Sequence, residues 1–185
     1  MSTRSEALAR RIEEGATQLA AFSRSLSDAQ WNTIVRPDGR TVGVIVHHVA
    51  NMYHVEIQLA SQIAEGRAVE GITWDHVAQI NATHAREHAH VTRIEAVTHL
   101  QNESLAAANA VRTFTDEQLD RAAAVSLNSG APLTAQFFIE DHALRHSWHH
   151  LARIRHALAN ATPTPAAPSS ETSRRTVAGE LLHTA

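Results

Sequence analysis

The sequence predicts an all-α protein: an up-down four-helix bundle with short extra helical turns and a flexible C-terminal tail. Two observations carry that expectation. Four long stretches repeat apolar residues at three- and four-residue steps, and helix-capping signatures stand between them with no alternating strand pattern. Helices of this kind bury their apolar stripes against one another, so four of them imply a bundle. The 185-residue chain is long enough for one domain with a sizeable core, assigned to residues 1–160.

Taken in order, Ser5 to Leu26 is amphipathic through Leu8, Ile12, Ala16, Leu19 and Phe22. Ser27-Asp-Ala-Gln30 has the form of a capping box opening a short turn, and Arg36-Pro-Asp-Gly39 reads as a turn. Thr41 caps the second long helix, which closes at Gly66. A crossing loop over residues 66–74 precedes a third helical region that breaks near Val91, where Thr92-Arg-Ile-Glu95 resembles a fresh capping box, and continues to Phe114. Thr115-Asp-Glu-Gln118 opens another short turn. Ser126 to Pro132 reads as a loop without strand pattern, and the fourth helix is expected from about Leu133 to Asn160. Beyond it, residues 161–185 are rich in proline and serine and poor in large apolar residues, the composition of a flexible tail, with room for a short docking helix around Val177, Leu181 and Leu182.

Composition narrows the function. A formal charge of -3 gives no reason to expect nucleic acid or an anionic membrane as partner. Zero cysteines exclude a disulfide framework and a protein-borne thiolate. No stretch approaches the roughly 20 apolar residues of a spanning helix, and the charged N-terminal stretch has no signal core, so a cytoplasmic location is expected. Seven glycines and no phosphate-binding loop argue against nucleotide chemistry.

The unusual count is 14 histidines. On the fourth helix, Ala143, Leu144, Leu151, Ile154 and Leu158 mark an apolar face at about 100° per residue. His150 lies on its flank and His146 beside it, while His142 and His149 fall further round towards solvent. On the second helix His48 shares a face with Val44, Ile45, Met52, Val55 and Leu59, whereas His47 and His54 fall with Asn51 and Gln58. His48, His146 and His150 are therefore the candidate metal ligands. An i, i+4 pair presents two imidazoles to one ion, and a third from another helix completes the minimum that zinc-like ions take. Buried histidines that merely hydrogen-bond one another are the competing reading. A second pair, His84 and His88, shares the face of Val77, Ile80 and Val91. It fits cavity lining first, with a second ion site including Glu87 or a surface composition bias as alternatives. His99, His156 and His183 have no partners at useful spacing.

The segment Thr41-Val-Gly-Val-Ile-Val-His-His-Val-Ala50 and the later His146-Ser-Trp-His-His-Leu-Ala-Arg-Ile154 resemble the DinB-like, or damage-inducible-type, metal-binding four-helix bundles. The resemblance extends over roughly residues 5–158. Its histidine near the start of helix two and its H-x-x-x-H on the last helix map onto His48, His146 and His150. That superfamily includes thiol-dependent transferases and mycothiol-dependent maleylpyruvate isomerases. The resemblance thus implies a divalent metal, zinc or nickel since imidazole suits both, a low-molecular-weight thiol as cosubstrate, a small-molecule substrate and a homodimer. Three function classes are open: a metal-dependent transferase or isomerase, a non-catalytic metal-binding stress protein, and a pH-sensing interaction module.

Overall fold

The computed structural model describes residues 2–160. Four long helices form the bundle: α1 (Thr3–Ser25), α3 (Val42–Ala64), α5 (Arg93–Arg112) and a fourth that begins as α7 (Ala135–Phe138), widens into a π-helical segment (Ile139–Leu144) and continues as α8 (Arg145–Ala159). Shorter helices α2 (Asp28–Trp31), α4 (Trp74–Glu87) and α6 (Asp116–Asp120) occupy the connections. The expected tail and its docking helix lie outside the described residues. Among the described residues no helix is long and apolar enough to cross a membrane.

The caps sit where the sequence puts them. Ser27 and Thr115 form complete capping boxes with Gln30 and Gln118, and the side chains of Thr41 and Thr92 accept from Val44 N–H and Glu95 N–H. Each satisfies backbone donors that a helix leaves open at its start. Gly66 follows α3 at a φ of +77°, the left-handed conformation that ends a helix.

The long helices pack in the cyclic order α1, α5, α3, α8, so α1 and α3 stand at opposite corners. Antiparallel α1 and α5 are held by Arg112, near the end of α5, which donates to Glu6 and Glu13 near the start of α1. The second and third long helices run parallel. Both start beside Trp31, which packs on Gly43 and donates to Val91 O at 3.2 Å. The end of α3 is held by Arg121, which follows α6 just beyond the end of α5 and donates to Ala64 O. Residues 65–92 make this possible, because they return the chain to the end where α3 began and carry α4 on the way.

Two local features differ from expectation. The loop around Ser126–Pro132 is flanked by a short antiparallel pair, β1 (Ala122–Ala124) and β2 (Pro132–Thr134), in the register Ala122 with Thr134, Ala123 with Leu133 and Ala124 with Pro132. Three-residue strands, Ala-Ala-Ala and Pro-Leu-Thr, are too short to show a period of two. The fourth helix starts at Ala135, with Thr134 as its cap accepting from Phe137 N–H, and its π segment turns the residues before Arg145 relative to those after it.

Gly43 gives the fold its sharpest test. A Cβ there would lie 2.6 Å from two atoms of the buried Trp31 indole. Gly43→Ala is expected to displace the ring and its bond to Val91 O. This outweighs the roughly 1 kcal/mol of helix propensity gained, for a net loss of about 1–3 kcal/mol. Urea unfolding measures it, and an unchanged midpoint would mean that Trp31 does not fix the starts of α3 and α5.

Candidate metal centre

His48 is presented by α3, and His146 and His150 by successive turns of α8. The two helices run antiparallel and are tied by the buried Tyr53 hydroxyl, 2.7 Å from Ser147 Oγ. One ring nitrogen from each of the three histidines lies within 4.8 Å of the others. Their ring centroids are 4.9–5.6 Å apart. His48 and His150 are each 5% exposed, and His146 is half-buried. The helical faces read from the sequence thus bring these three residues together.

The surroundings of His48 and His150 favour neutral imidazoles, the protonation state that ligates metals. Burial first, then His146 and Arg40, holds His48 far below the ordinary histidine value. The same causes in the same order push His150 down to about 2. Arg40 is itself paired with Asp38, Nε to Oδ1 at 2.5 Å and Nη2 to Oδ2 at 2.9 Å.

Glu56 belongs to the candidate site and has no place in the expectations from sequence. It is 5% exposed on α3, two turns beyond His48, and its Oε1 accepts from His146 Nδ1 at 2.7 Å. That bond fixes the tautomer and leaves His146 Nε2 free to ligate, as a carboxylate behind a metal-bound histidine does. A signal was available: a glutamate eight residues after His48 lies about 80° round the helix from it, close enough to share its side. Glu56 Oε2 is buried without a hydrogen-bond partner, and so is His150 Nδ1. Buried polar atoms left open beside three converging imidazoles fit a site completed by a cation and a small ligand.

Two cavities meet at the centre. A polar cleft of about 210 Å³ is lined by Glu56, Asp141, His142, His146, His149 and His150, among others. An apolar cavity of about 430 Å³ reaches Glu56, His142 and His146 from the other side, walled by Met52, Val55, Leu59, Val77 and Phe138 among others, with Trp74 and Ile80 at its mouth. His142, expected towards solvent, is half-buried and stacked on Phe138 with ring centroids 4.2 Å apart. It lies in the π segment, whose wider turn breaks the 100° arithmetic that placed it outside. His149 is exposed, as expected.

A family model for the DinB superfamily matches residues 11–154. The chain belongs to the DinB superfamily. Among solved structures this DinB chain is similar to YfiT from Bacillus subtilis, described as a probable metal-dependent hydrolase with an unusual four-helix bundle topology. The TM-score is 0.67 at 21% identity, with 86% of this chain and 89% of that chain covered. A search of curated proteins gave no significant match. Among the described residues this DinB chain carries two histidine clusters able to hold a metal ion. The second consists of His47, His84 and His88. The sequence reading has His84 and His88 lining the cavity of the first centre; they line instead a groove of about 340 Å³ with Glu87 and Asn51, which none of His48, His146 and His150 enters. It placed His47 on the polar face of its helix, yet His47 is 6% exposed. Residues 42–50 of α3 are buried throughout, because α4 and α5 pack on this half of α3 as well as α8. His99, read as solitary, joins this cluster with its ring 4.8 Å from that of His47.

Proposed function

We propose that the protein is a metal-dependent transferase or isomerase that uses a low-molecular-weight thiol as nucleophile against a small electrophile with an apolar body. The observation that carries this reading is the junction at Glu56, where a three-imidazole centre and a buried, unpartnered carboxylate oxygen open onto an apolar cavity. His48, His146 and His150 would hold a divalent ion, zinc or nickel by ligand type. Such an ion supplies Lewis acidity and lowers the pKa of a thiol or water in its open position. Glu56 orients His146 through Oε1, and its Oε2 stands where a proton released by the incoming nucleophile can be accepted. Phe138, Met52 and Leu59 hold the apolar part of the substrate and exclude water, while Trp74 and Ile80 form the entrance. The absence of cysteine in the chain suits a thiol brought from outside.

Water as the nucleophile is the second reading, favoured by the description of YfiT as a probable metal-dependent hydrolase. The two separate in one experiment. With cobalt in the centre, adding a thiol is expected to produce a sulfur-to-metal charge-transfer band and release protons, and maleyl compounds, epoxides or aryl halides should be converted only when thiol is present. Glu56→Gln is expected to lower metal affinity about 10–100-fold and to cut turnover by at least about 100-fold once metal is saturating. Turnover of esters or amides without thiol would select hydrolysis. Thiol binding without conversion across the panel would leave a metal-binding protein that catalyses nothing.

A further inference from the structure

A second cluster of histidines, contributed by α3 and α4, lies beside the first. His47 Nδ1 and His84 Nε2 face each other at 2.9 Å, and His88 stacks on His47 with ring centroids 3.9 Å apart. One ligating nitrogen from each of the three lies within 4.8 Å of the others. His47 and His84 are 6% and 5% exposed, and His88 is half-buried at the end of α4.

Two features of this cluster are not explained by packing. His84 Nδ1 is buried and has no hydrogen-bond partner, whichever of the facing nitrogens of His47 and His84 carries the proton between them. A ring nitrogen left open in the interior costs about 1–3 kcal/mol unless something binds there. The other feature is the attachment of α4. In this 14-residue helix His84 is the only fully buried side chain, and α3 is the one long helix against which it makes substantial contact. A helix is normally held by an apolar stripe, whereas α4 leaves Ile80 56% exposed and Trp74 65% exposed and turns imidazoles towards its neighbour.

We propose that His47, His84 and His88 form a second metal site, for a divalent ion of the zinc, nickel or copper type, which clamps α4 onto α3. Three imidazoles without carboxylates select borderline transition metals over calcium or magnesium. Burial first, then His88, holds both His47 and His84 down to about 4, so both offer free electron pairs at neutral pH. The clamp has a consequence for the other centre. Trp74, Val77 and Ile80 of α4 wall the apolar cavity that reaches His146, so the second ion fixes that wall without touching the first. His48 and His84 rings lie 5.7 Å apart, centroid to centroid, which places the two sites side by side with His84 on the shared border.

The test uses the full chain without a histidine tag and zinc as the probe. Elemental analysis after removal of loosely bound metal is expected to give two ions per chain in the wild type. It should give one in His84→Ala, one in His88→Ala and one in His146→Ala, each checked for native helicity by circular dichroism. Hydrogen exchange gives the independent readout. In the His146→Ala protein, where the first centre is disabled, zinc should slow exchange across Trp74–Glu87, and in His84→Ala it should leave those amides unchanged. His88→Ala serves if His84→Ala fails to fold, because His88 is half-buried and its truncation leaves the helix packing in place. A His146→Ala protein that holds no zinc overturns the proposal. So does a second ion that survives both His84→Ala and His88→Ala, which would mark adventitious surface binding, and so does zinc without effect on α4 exchange in His146→Ala. Because that arm is run with the first centre disabled, its result stands apart from the function proposed for that centre.

Discussion

His146→Ala and His150→Ala are each expected to empty the first centre. Each would remove one of the three candidate ligands, a heavier loss than the roughly 10–100-fold in affinity expected when the carboxylate behind a metal-bound histidine is removed. The measurement belongs in the His84→Ala background, so that the second cluster makes no contribution. There, zinc at about 100 times its Kd stabilises a protein with an intact centre by about 2.7 kcal/mol. For a domain of this size that is a rise of about 5–10 °C in thermal midpoint. Adding His146→Ala or His150→Ala should abolish the rise, and adding His149→Ala should leave it, since the exposed His149 lies only at the outer cleft. A zinc-dependent midpoint that persists after loss of His150 would place the ion elsewhere.

The metal-free protein should lose stability steeply as pH falls below about 6.5. His48 and His150 are held neutral in the folded chain, chiefly by burial, whereas the same residues in the unfolded chain take up protons near the ordinary histidine value of about 6.5. The unfolded state therefore binds more protons below that value, and stability rises with pH through the window. Between pH 6.5 and 5.5 each of the two withdraws about 1 kcal/mol, and His47 and His84 add to the slope until about pH 4. Against a total of about 5–15 kcal/mol for a domain, 2 kcal/mol from the first pair alone is visible as a lowered urea midpoint. Saturating zinc at pH 7.5 should raise the midpoint, with the benefit fading at low pH as protons compete for the same nitrogens. A midpoint that stays flat from pH 7.5 to 5.5 without metal would mean that the two imidazoles are not kept neutral by burial.

The places where expectation and structure part have a common cause. His47 was assigned outward by a wheel that allows a helix one buried face, but the first half of α3 touches α5 on one side and α8 on another, with α4 laid over the rest. A helix with partners on three sides has no outward face, and its polar residues must find partners inside. His99 had no histidine at helical spacing, and it meets His47 only because α3 and α5 run parallel from a common start. His142 was misplaced by a single π segment, which no repeat of three and four residues reveals.

By itself the sequence determined where four of the helices begin and that His48, His146 and His150 converge. Both are local properties: a cap joins residues three apart, and a helical face is fixed by spacing within one element. Ser27, Thr41 and Thr115 cap as read, Thr92 caps without the reciprocal bond from Glu95, and His48, His146 and His150 meet as their faces required. Only the tertiary structure decided what stands behind and beside those histidines. Glu56 reaches His146 across 90 residues of chain, and His84 reaches His47 across 37, through the packing order of the helices and the return path of residues 65–92. Periodicity fixes the direction a side chain takes from its own helix axis, while the neighbour it meets depends on which helix the connections bring alongside.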